Sequence, residues 1–158
     1  MNDPGIDNPA QALADATAQA MFARDAATRS LGMKIVRMGP GSAQLTMRVR
    51  SDMLNGHQTC HGGFIFALAD SAFAFACNSH NRNTVASGCS IDYLAPGREN
   101  DVLTAHAIEQ SRSGRTGVYD ITVTNQDGVR IALFRGKSYQ ISGEVIAVAA
   151  PPEHRTDA

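Results

Sequence analysis

The sequence predicts an α+β fold in which a curved antiparallel sheet wraps around one long central helix. The first observation is the segment 62–78, which is apolar nearly all round, as is typical of a helix enclosed by other structure. The second is a set of six strand-like segments separated by turn residues. The third is their order, because two of these segments precede the helix and four follow it.

The composition supports a single domain. The chain has 158 residues, 14 Lys and Arg against 15 Asp and Glu, and a net charge of −1, so neither nucleic acid nor an anionic membrane is expected as a partner. The amino terminus lacks the pattern of a signal peptide and no segment reaches transmembrane length, which predicts a cytoplasmic protein. The three cysteines lack CxxC spacing, which predicts reduced thiols.

The amino-terminal elements are a helix and two strands. Asn8 and Pro9 form an N-cap and first-turn pair for a small amphipathic helix, whose apolar residues recur over 13–27. Strands are expected at 31–38 and 43–49, on either side of the turn sequence GPGS.

The remaining elements follow a loop at 51–60, which leads into the long helix 62–78 and then into a turn at 79–83. Four more strands are expected, and they read as an antiparallel meander: 84–95, 101–111, 116–125 and 129–141. We therefore divide the chain into three parts: an N-terminal helix and extension at 1–30, the main domain at 31–143 and a flexible C-terminal tail at 144–158.

A single carboxylate, Asp70, lies in the middle of the apolar helix. An unpaired charge in a low-dielectric interior costs several kcal/mol, so such a residue is expected to be held by a partner or used in chemistry. The structural alternative is that Asp70 caps a helix or pairs with an arginine.

Gly62 and Gly63 open the same helix. The first N–H groups of a helix lack intrahelical acceptors, and glycine lets an oxyanion approach them, so the pair could polarise an ester or thioester carbonyl. A mere close backbone contact is the alternative. Asp70 lies eight residues beyond Gly62, about 12 Å along the axis, which is too far for one reacting group. Two copies with antiparallel central helices would bring each Asp70 to the other copy's glycine amide.

Two histidines and a cysteine precede the helix. His57 and His61 have the i, i+4 spacing of metal ligands, but position 58 is Gln where a zincin-type site needs Glu, so no metal is expected. The favoured interpretation is that His61 orients the loop or hydrogen-bonds substrate, with Asn55 beside it. A Cys60 nucleophile with a His61 base is a weaker alternative, because adjacent residues rarely face each other.

Basic residues near the turns and ends of the later strands have two interpretations. They are either scattered surface charges or a site for phosphates, which arginine binds in bidentate pairs. These residues are Arg98, Arg112, Arg115, Arg135 and Lys137.

Five stretches carry a more specific signal: NGHQTCHGGFIFALAD, SAFAFACNS, CSIDYLAPG, TGVYDI and ALFRGKS. Together they resemble the PaaI-type thioesterases of phenylacetic acid degradation, in the hotdog superfamily, over about residues 31–143. The resemblance implies a hotdog fold and hydrolysis of aryl-acetyl thioesters of coenzyme A (CoA). It implies no cofactor apart from the CoA of the substrate. It also implies a homodimer with a continuous sheet, commonly paired into a homotetramer.

The resemblance also implies roles for particular residues. Asp70 would be the catalytic carboxylate and the Gly62 N–H would polarise the thioester carbonyl, while Asn55 and His61 would help to arrange the site. The acyl-CoA would lie across the dimer interface. Residues implied as substrate or CoA contacts are Gly63, Tyr93, Pro96, Arg98, Arg115, Thr116 and Lys137. Some hydroxybenzoyl-CoA enzymes carry a hydroxyl residue one turn after the carboxylate, where this chain has Ala74, so the way in which water is held stays open.

Other functions are kept as alternatives. A hotdog hydratase or dehydratase would present its histidine in a different, proline-containing loop. A non-catalytic acyl-CoA-binding module would not need Asp70 and the glycine pair. A broad or medium-chain acyl-CoA thioesterase is the third alternative. The phenylalanines of the helix could line a pocket for an aromatic acyl group, but they could equally belong to the core, so they do not fix the acyl specificity: Phe64, Phe66, Phe73 and Phe75.

Overall fold

The computed structural model describes residues 8–148. Within them, the α-helices are α1 (Pro9–Arg24), α2 (Ala26–Ser30) and α3 (Gly62–Asn78), and a short 3-10 helix at Ser51–Met53 begins the segment predicted to be a loop. The strands are β1 (Lys34–Gly39), β2 (Ser42–Arg48), β3 (Thr84–Tyr93), β4 (Val102–Ser113), β5 (Thr116–Thr124) and β6 (Arg130–Gln140). No helix among these residues is long and apolar enough to cross a membrane.

The strands form one antiparallel sheet in the order β1-β2-β4-β5-β6-β3, and α3 packs against it. The predicted α+β class is therefore confirmed. The predicted meander is right for β4, β5 and β6 but wrong for β3, which pairs with β6 at the far edge. The reason lies in the connection 94–101, where the Gly97 carbonyl accepts from the Cys60 N–H at 2.8 Å. This contact draws the connection across the start of α3, so it cannot close a tight hairpin.

Helix α3 has the predicted bounds and forms the centre of the core. Its side chains Leu68, Ala69, Ala72 and Phe73 are buried. The helix lies so close to β6 that a Cβ at Gly136 would come within 2.7 Å of the Phe73 ring. Glycine at this position is therefore a condition of the close packing between helix and sheet.

Gly136→Ala is expected to destabilise the protein by about 1–3 kcal/mol, because the new methyl group overpacks a core that has no space for it. Urea unfolding followed by circular dichroism measures the change. Gly56→Ala is the matched control, since nothing lies within 4 Å of a Cβ there, and it should stay within about 0.5 kcal/mol of the parent. Equal stability of the two variants would contradict the packing argument.

The amino-terminal helix differs from the prediction in one respect. It breaks at Asp25, whose carboxylate caps α2 by accepting from the Thr28 N–H at 2.9 Å and the Thr28 hydroxyl at 2.6 Å. Strand β1 begins at Lys34, later than predicted, because α2 occupies the chain up to Ser30 and Gly32 then turns it with a φ of +68°. The Thr28 hydroxyl lies 3.2 Å from that of Ser71, so α2 is tied to α3.

The start of the segment predicted to be a flexible tail makes specific contacts. The Ile146 N–H donates to Asn81 Oδ1 at 2.9 Å, and Asn81 Nδ2 donates to the Ile146 carbonyl at 3.0 Å. Arg82 lies 3.7 Å from Glu144. The rest of that segment, 149–158, lies outside the described residues, as do residues 1–7.

Candidate active site

The Gly62 N–H at the start of α3 is a free backbone donor. His61 caps the helix, with its Nδ1 accepting from the Gly63 N–H at 2.9 Å. The His61 N–H donates to the Met53 carbonyl at 2.8 Å, and the His61 carbonyl accepts from the Phe64 N–H at 2.9 Å. Within residues 8–148 the Gly62 N–H has no acceptor. This N–H is therefore available to an oxygen atom of a ligand.

A groove of about 420 Å³ lies at this helix start. It is lined by Asn55, Thr59, Cys60, Gly62, Ile65, Tyr93, Leu94, Ala95 and Pro96. The loop before the helix and the connection after β3 therefore share one surface. Of the residues implied as substrate contacts, Tyr93 and Pro96 line this groove and Gly63 lies at its helix end.

Asn55 organises the loop that forms one wall of the groove. Its Oδ1 accepts from the His57 N–H at 2.9 Å and from the Thr59 N–H at 3.2 Å, and its own N–H donates to the Thr59 carbonyl at 2.8 Å. Gln58 adopts a φ of 60°, which closes the turn. This ordered turn places Asn55 on the same groove as Gly62, and the predicted contact of Asn55 with His61 stays a prediction.

Asp70 lies half-buried on α3. Among the described residues it has no hydrogen-bonded or ion-paired partner, so the alternative of an Asp70–arginine pair is not found. Burial raises the pKa of its carboxyl above the ordinary value. The carboxylate in turn contributes to raising the thiol pKa of Cys77 and Cys89. Since Cys89 lies on β3, Asp70 is close to that edge of the sheet.

A single chain holds the two groups apart. Helix α3 is unbroken from Gly62 to Asp70, so they are separated by about 12 Å along its axis. Beside Asp70, β3 forms a sheet edge whose residues are mostly exposed, including Val85 at 46%. Within one copy, the free Gly62 N–H and the unpaired Asp70 carboxylate are therefore too far apart to contact the same reacting group.

Cys60 is unsuited to act as a nucleophile. Burial, with a contribution from Asp101, raises the pKa of its thiol to about 11, so the thiol is protonated at neutral pH. Its Sγ lies 3.7 Å from the His61 carbonyl oxygen, a contact with the backbone and not with the ring. Across residues 8–148, no group of three His, Cys, Asp or Glu side chains has an arrangement that could hold a metal ion.

The remaining residues implied as CoA contacts lie in two places. Arg98 is on the connection after β3, near the groove, where its N–H donates to Asp101 Oδ2 at 2.7 Å. Arg115 and Thr116, on the β4–β5 hairpin, line a small recess beside Cys77, close to the other end of α3. Lys137 follows Gly136, which faces α3, so its side chain points to the opposite face of the sheet.

The arginines that were grouped together from the sequence have different surroundings in the structure. Arg135 is held by Asp120 through two bonds of 2.7 and 2.8 Å, so it is already occupied. Arg112 lines the same recess as Arg115 and lies 3.9 Å from Glu109. Sequence reasoning missed Arg82, which also lines this recess. Its position in the turn after a buried helix was the available signal.

The four phenylalanines of α3 differ in burial. Phe73 and Phe75 are core residues, packed against Tyr119 and Phe22 respectively. Phe64 and Phe66 are half-buried, and Phe66 meets the Phe134 ring edge-on at 5.2 Å. An aromatic lining could therefore come from only two of the four.

Known proteins share this architecture and sequence. A family model described as the thioesterase superfamily matches residues 57–132. The acyl-coenzyme A thioesterase PaaI of Escherichia coli K12 is 51% identical over 132 residues, which cover 84% of this chain and 94% of that relative. The chain belongs to the thioesterase superfamily. Within it, the protein is a PaaI-type hotdog thioesterase and therefore a thioester hydrolase.

Three solved structures, two of them of PaaI proteins, are similar to this chain. The structure of E. coli PaaI, from the phenylacetic acid degradation operon, has a TM-score of 0.84 and 50% identity, covering 85% of this chain and 97% of that chain. A mutant of the phenylacetic acid degradation protein PaaI from Thermus thermophilus has a TM-score of 0.72 and 39% identity, covering 74% and 100%. A Streptococcus mutans protein bound to acetyl-CoA has a TM-score of 0.68 and 28% identity, covering 71% and 90%.

Proposed function

We propose that this PaaI-type thioesterase hydrolyses the CoA thioesters of phenylacetic acid or its ring-hydroxylated forms, as part of aromatic catabolism. In the overall reaction one water is consumed, the C–S bond of the thioester breaks, and the free acid and the CoA thiol are released. The observation that carries the proposal is the free Gly62 N–H at the groove together with the unpaired Asp70 on the same helix. The names of the E. coli and T. thermophilus relatives support the choice of acyl group.

The site is completed by a second copy of the chain. If two α3 helices lie side by side and antiparallel, the half-turn that brings Gly62 of one copy to Asp70 of the other also does the reverse. The exposed edge of β3, next to Asp70, supports pairing there, because an open edge ten residues long is otherwise a site for aggregation. The homodimer would then share one continuous sheet, and two such dimers would form a homotetramer.

In that dimer each group has one role. The Gly62 N–H of one copy stabilises the oxyanion that develops on the thioester carbonyl, aided by the partial positive charge of the helix start. Asp70 of the other copy either attacks the carbonyl, which gives a mixed anhydride, or activates water as a general base. His61 and Asn55 hold the helix start and its loop in position. A single turnover in ¹⁸O-labelled water separates the two routes, because only attack incorporates the label into the protein.

The CoA moiety would extend towards the second copy. An antiparallel pairing brings the far end of one α3, with its arginine recess, towards the mouth of the other copy's groove. Tyr93, Pro96 and Arg98 would contact the pantetheine arm, while Arg115 and Thr116 of the other copy would meet the phosphates. Lys137, on the opposite face of the sheet, has less support as a CoA contact.

A panel of CoA thioesters tests the acyl group. We expect kcat/KM for phenylacetyl-CoA and hydroxyphenylacetyl-CoA to exceed that for octanoyl-CoA by about tenfold or more, since one matched or mismatched group in an apolar pocket changes the rate by roughly 10–200-fold. Release of free thiol measures the rate. A preference for octanoyl-CoA would instead support the medium-chain alternative, which the aliphatic Ile65 and Leu94 of the groove favour. Binding without thiol release would indicate a non-catalytic module, and hydration of crotonyl-CoA a hydratase.

A further inference from the structure

Tyr93 makes a contact that a CoA-binding role does not require. Its hydroxyl donates to the Gly62 carbonyl oxygen at 2.9 Å, across 31 residues of chain. Its ring lies over the same residue, since a Cβ at Gly62 would be 3.0 Å from the ring and from the hydroxyl oxygen. Tyr93 is 51% exposed, so this contact is not imposed by burial in the core. It joins the end of β3 to the residue that carries the free N–H.

The peptide between Gly62 and Gly63 is held from both sides. Its carbonyl accepts from Tyr93, and its N–H donates to His61 Nδ1 at 2.9 Å. The preceding peptide is held as well, because its carbonyl accepts from the Phe64 N–H at 2.9 Å. Every polar group around Gly62 except its own N–H is therefore engaged by a partner in the described chain.

Two consecutive glycines at a helix start need such restraint. Glycine has the largest conformational freedom of any residue, so the angle between the His61–Gly62 peptide, which carries the Gly62 N–H, and the following Gly62–Gly63 peptide is not fixed by the backbone preferences of Gly62. An oxyanion donor is effective only when it already points to the position of the developing charge. The hydrogen bond from Tyr93 restrains the Gly62–Gly63 peptide on the side of the groove. Among the residues that line the groove, Tyr93 is the one whose side chain bonds to this peptide.

We propose that Tyr93 is a positioning residue for thioester hydrolysis: its hydroxyl holds the Gly62–Gly63 peptide so that the Gly62 N–H points into the groove. The inference rests on the proposed function, in which that N–H receives the oxyanion. It differs from a CoA contact in a measurable way. Loss of a CoA contact raises KM, whereas loss of positioning lowers kcat.

Tyr93→Phe keeps the ring and removes only the hydroxyl. We expect kcat for phenylacetyl-CoA to fall about five- to tenfold, which corresponds to about 1–1.4 kcal/mol of activation free energy, while KM stays within about twofold. Tyr139→Phe, on β6, is the matched control, because no hydrogen bond of its hydroxyl occurs in the described structure, and its kinetics should equal those of the parent. Thermal unfolding should be the same for both variants. An unchanged kcat, or a raised KM with kcat unchanged, would overturn the proposal.

A spectroscopic measurement separates positioning from a general structural effect. Phenylacetyl-CoA with a ¹³C carbonyl, bound to the Asp70→Asn protein, should show an infrared carbonyl band shifted to lower frequency by the Gly62 N–H. Adding Tyr93→Phe should move the band back towards its position in water. A shifted band that Tyr93→Phe leaves unchanged would overturn the role of Tyr93 alone. A band that is unshifted in the Asp70→Asn protein itself would overturn the role of Gly62, and that of Tyr93 with it.

Discussion

Asp70→Asn is expected to lower kcat for the preferred acyl-CoA by about three orders of magnitude or more, because it removes the carboxylate that we propose attacks the thioester or activates water. The oligomer and the fold should be retained, since Asp70 holds no partner among the described residues. Steady-state kinetics and analytical ultracentrifugation measure the two effects. Asp127→Asn, an exposed turn substitution, is the control and should leave kcat unchanged. Near-normal turnover of Asp70→Asn would refute the assigned role.

The same variant should show a pH dependence of known sign. Burial raises the pKa of the Asp70 carboxyl, so the native protein binds this proton more tightly than the unfolded chain. The contribution of the Asp70 carboxyl to the free energy of unfolding is therefore lost as pH rises from the ordinary carboxyl pKa through the raised pKa. Because Asn does not titrate, the Tm of Asp70→Asn should increase relative to the Tm of the parent as pH rises across this window. The kcat/KM of the parent should rise over the same window, as the carboxyl ionises. A Tm difference independent of pH would contradict this account.

Gly62→Pro is expected to lower kcat by about 100- to 1000-fold, or about 3 kcal/mol, because proline has no N–H to offer the oxyanion. The helix should tolerate the change, since Gly62 is its first residue, where proline is favoured. The preceding residue, His61, has φ −59° and ψ 132°, which suits a position before proline. Gly62→Ala is the matched control, as it adds the same Cβ against Tyr93 but keeps the N–H, and it should lose less than tenfold. Equal losses in the two variants would indicate steric blockage and argue against a donor role.

Mixing the two inactive variants tests whether the site is shared. Asp70→Asn and Gly62→Pro chains, refolded together in equal amounts, should form heterodimers in half of the cases. Each heterodimer contains one intact site, so turnover should recover to about a quarter of the parent value per chain. Each variant refolded alone should stay inactive. Failure to recover, with heterodimers present, would mean that donor and carboxylate act within one chain.

Much of the fold was predictable because local patterns carried it. The apolar run of α3 predicted its bounds from Gly62 to Asn78, and strand-like segments separated by turn residues predicted the six strands. The break at Asp25 was not predicted, because both halves of the amino-terminal helix have helical spacing and a side-chain cap decides between one helix and two. The place of β3 was not predicted either, since strand pairing depends on long-range contacts that no local pattern encodes.

The candidate site also has features that follow from the sequence and features that depend on the tertiary structure. The sequence by itself determined that Gly62 opens a buried helix and that Asp70 lies two turns further on, because helical rise converts eight residues into about 12 Å. Only the tertiary structure decided that Asp70 lacks a partner in the described chain, that Arg135 is already held by Asp120, and that Tyr93 rests on Gly62. These facts depend on which distant segments meet, and that is decided by the packing of the whole sheet around α3 and not by the spacing of residues along the chain.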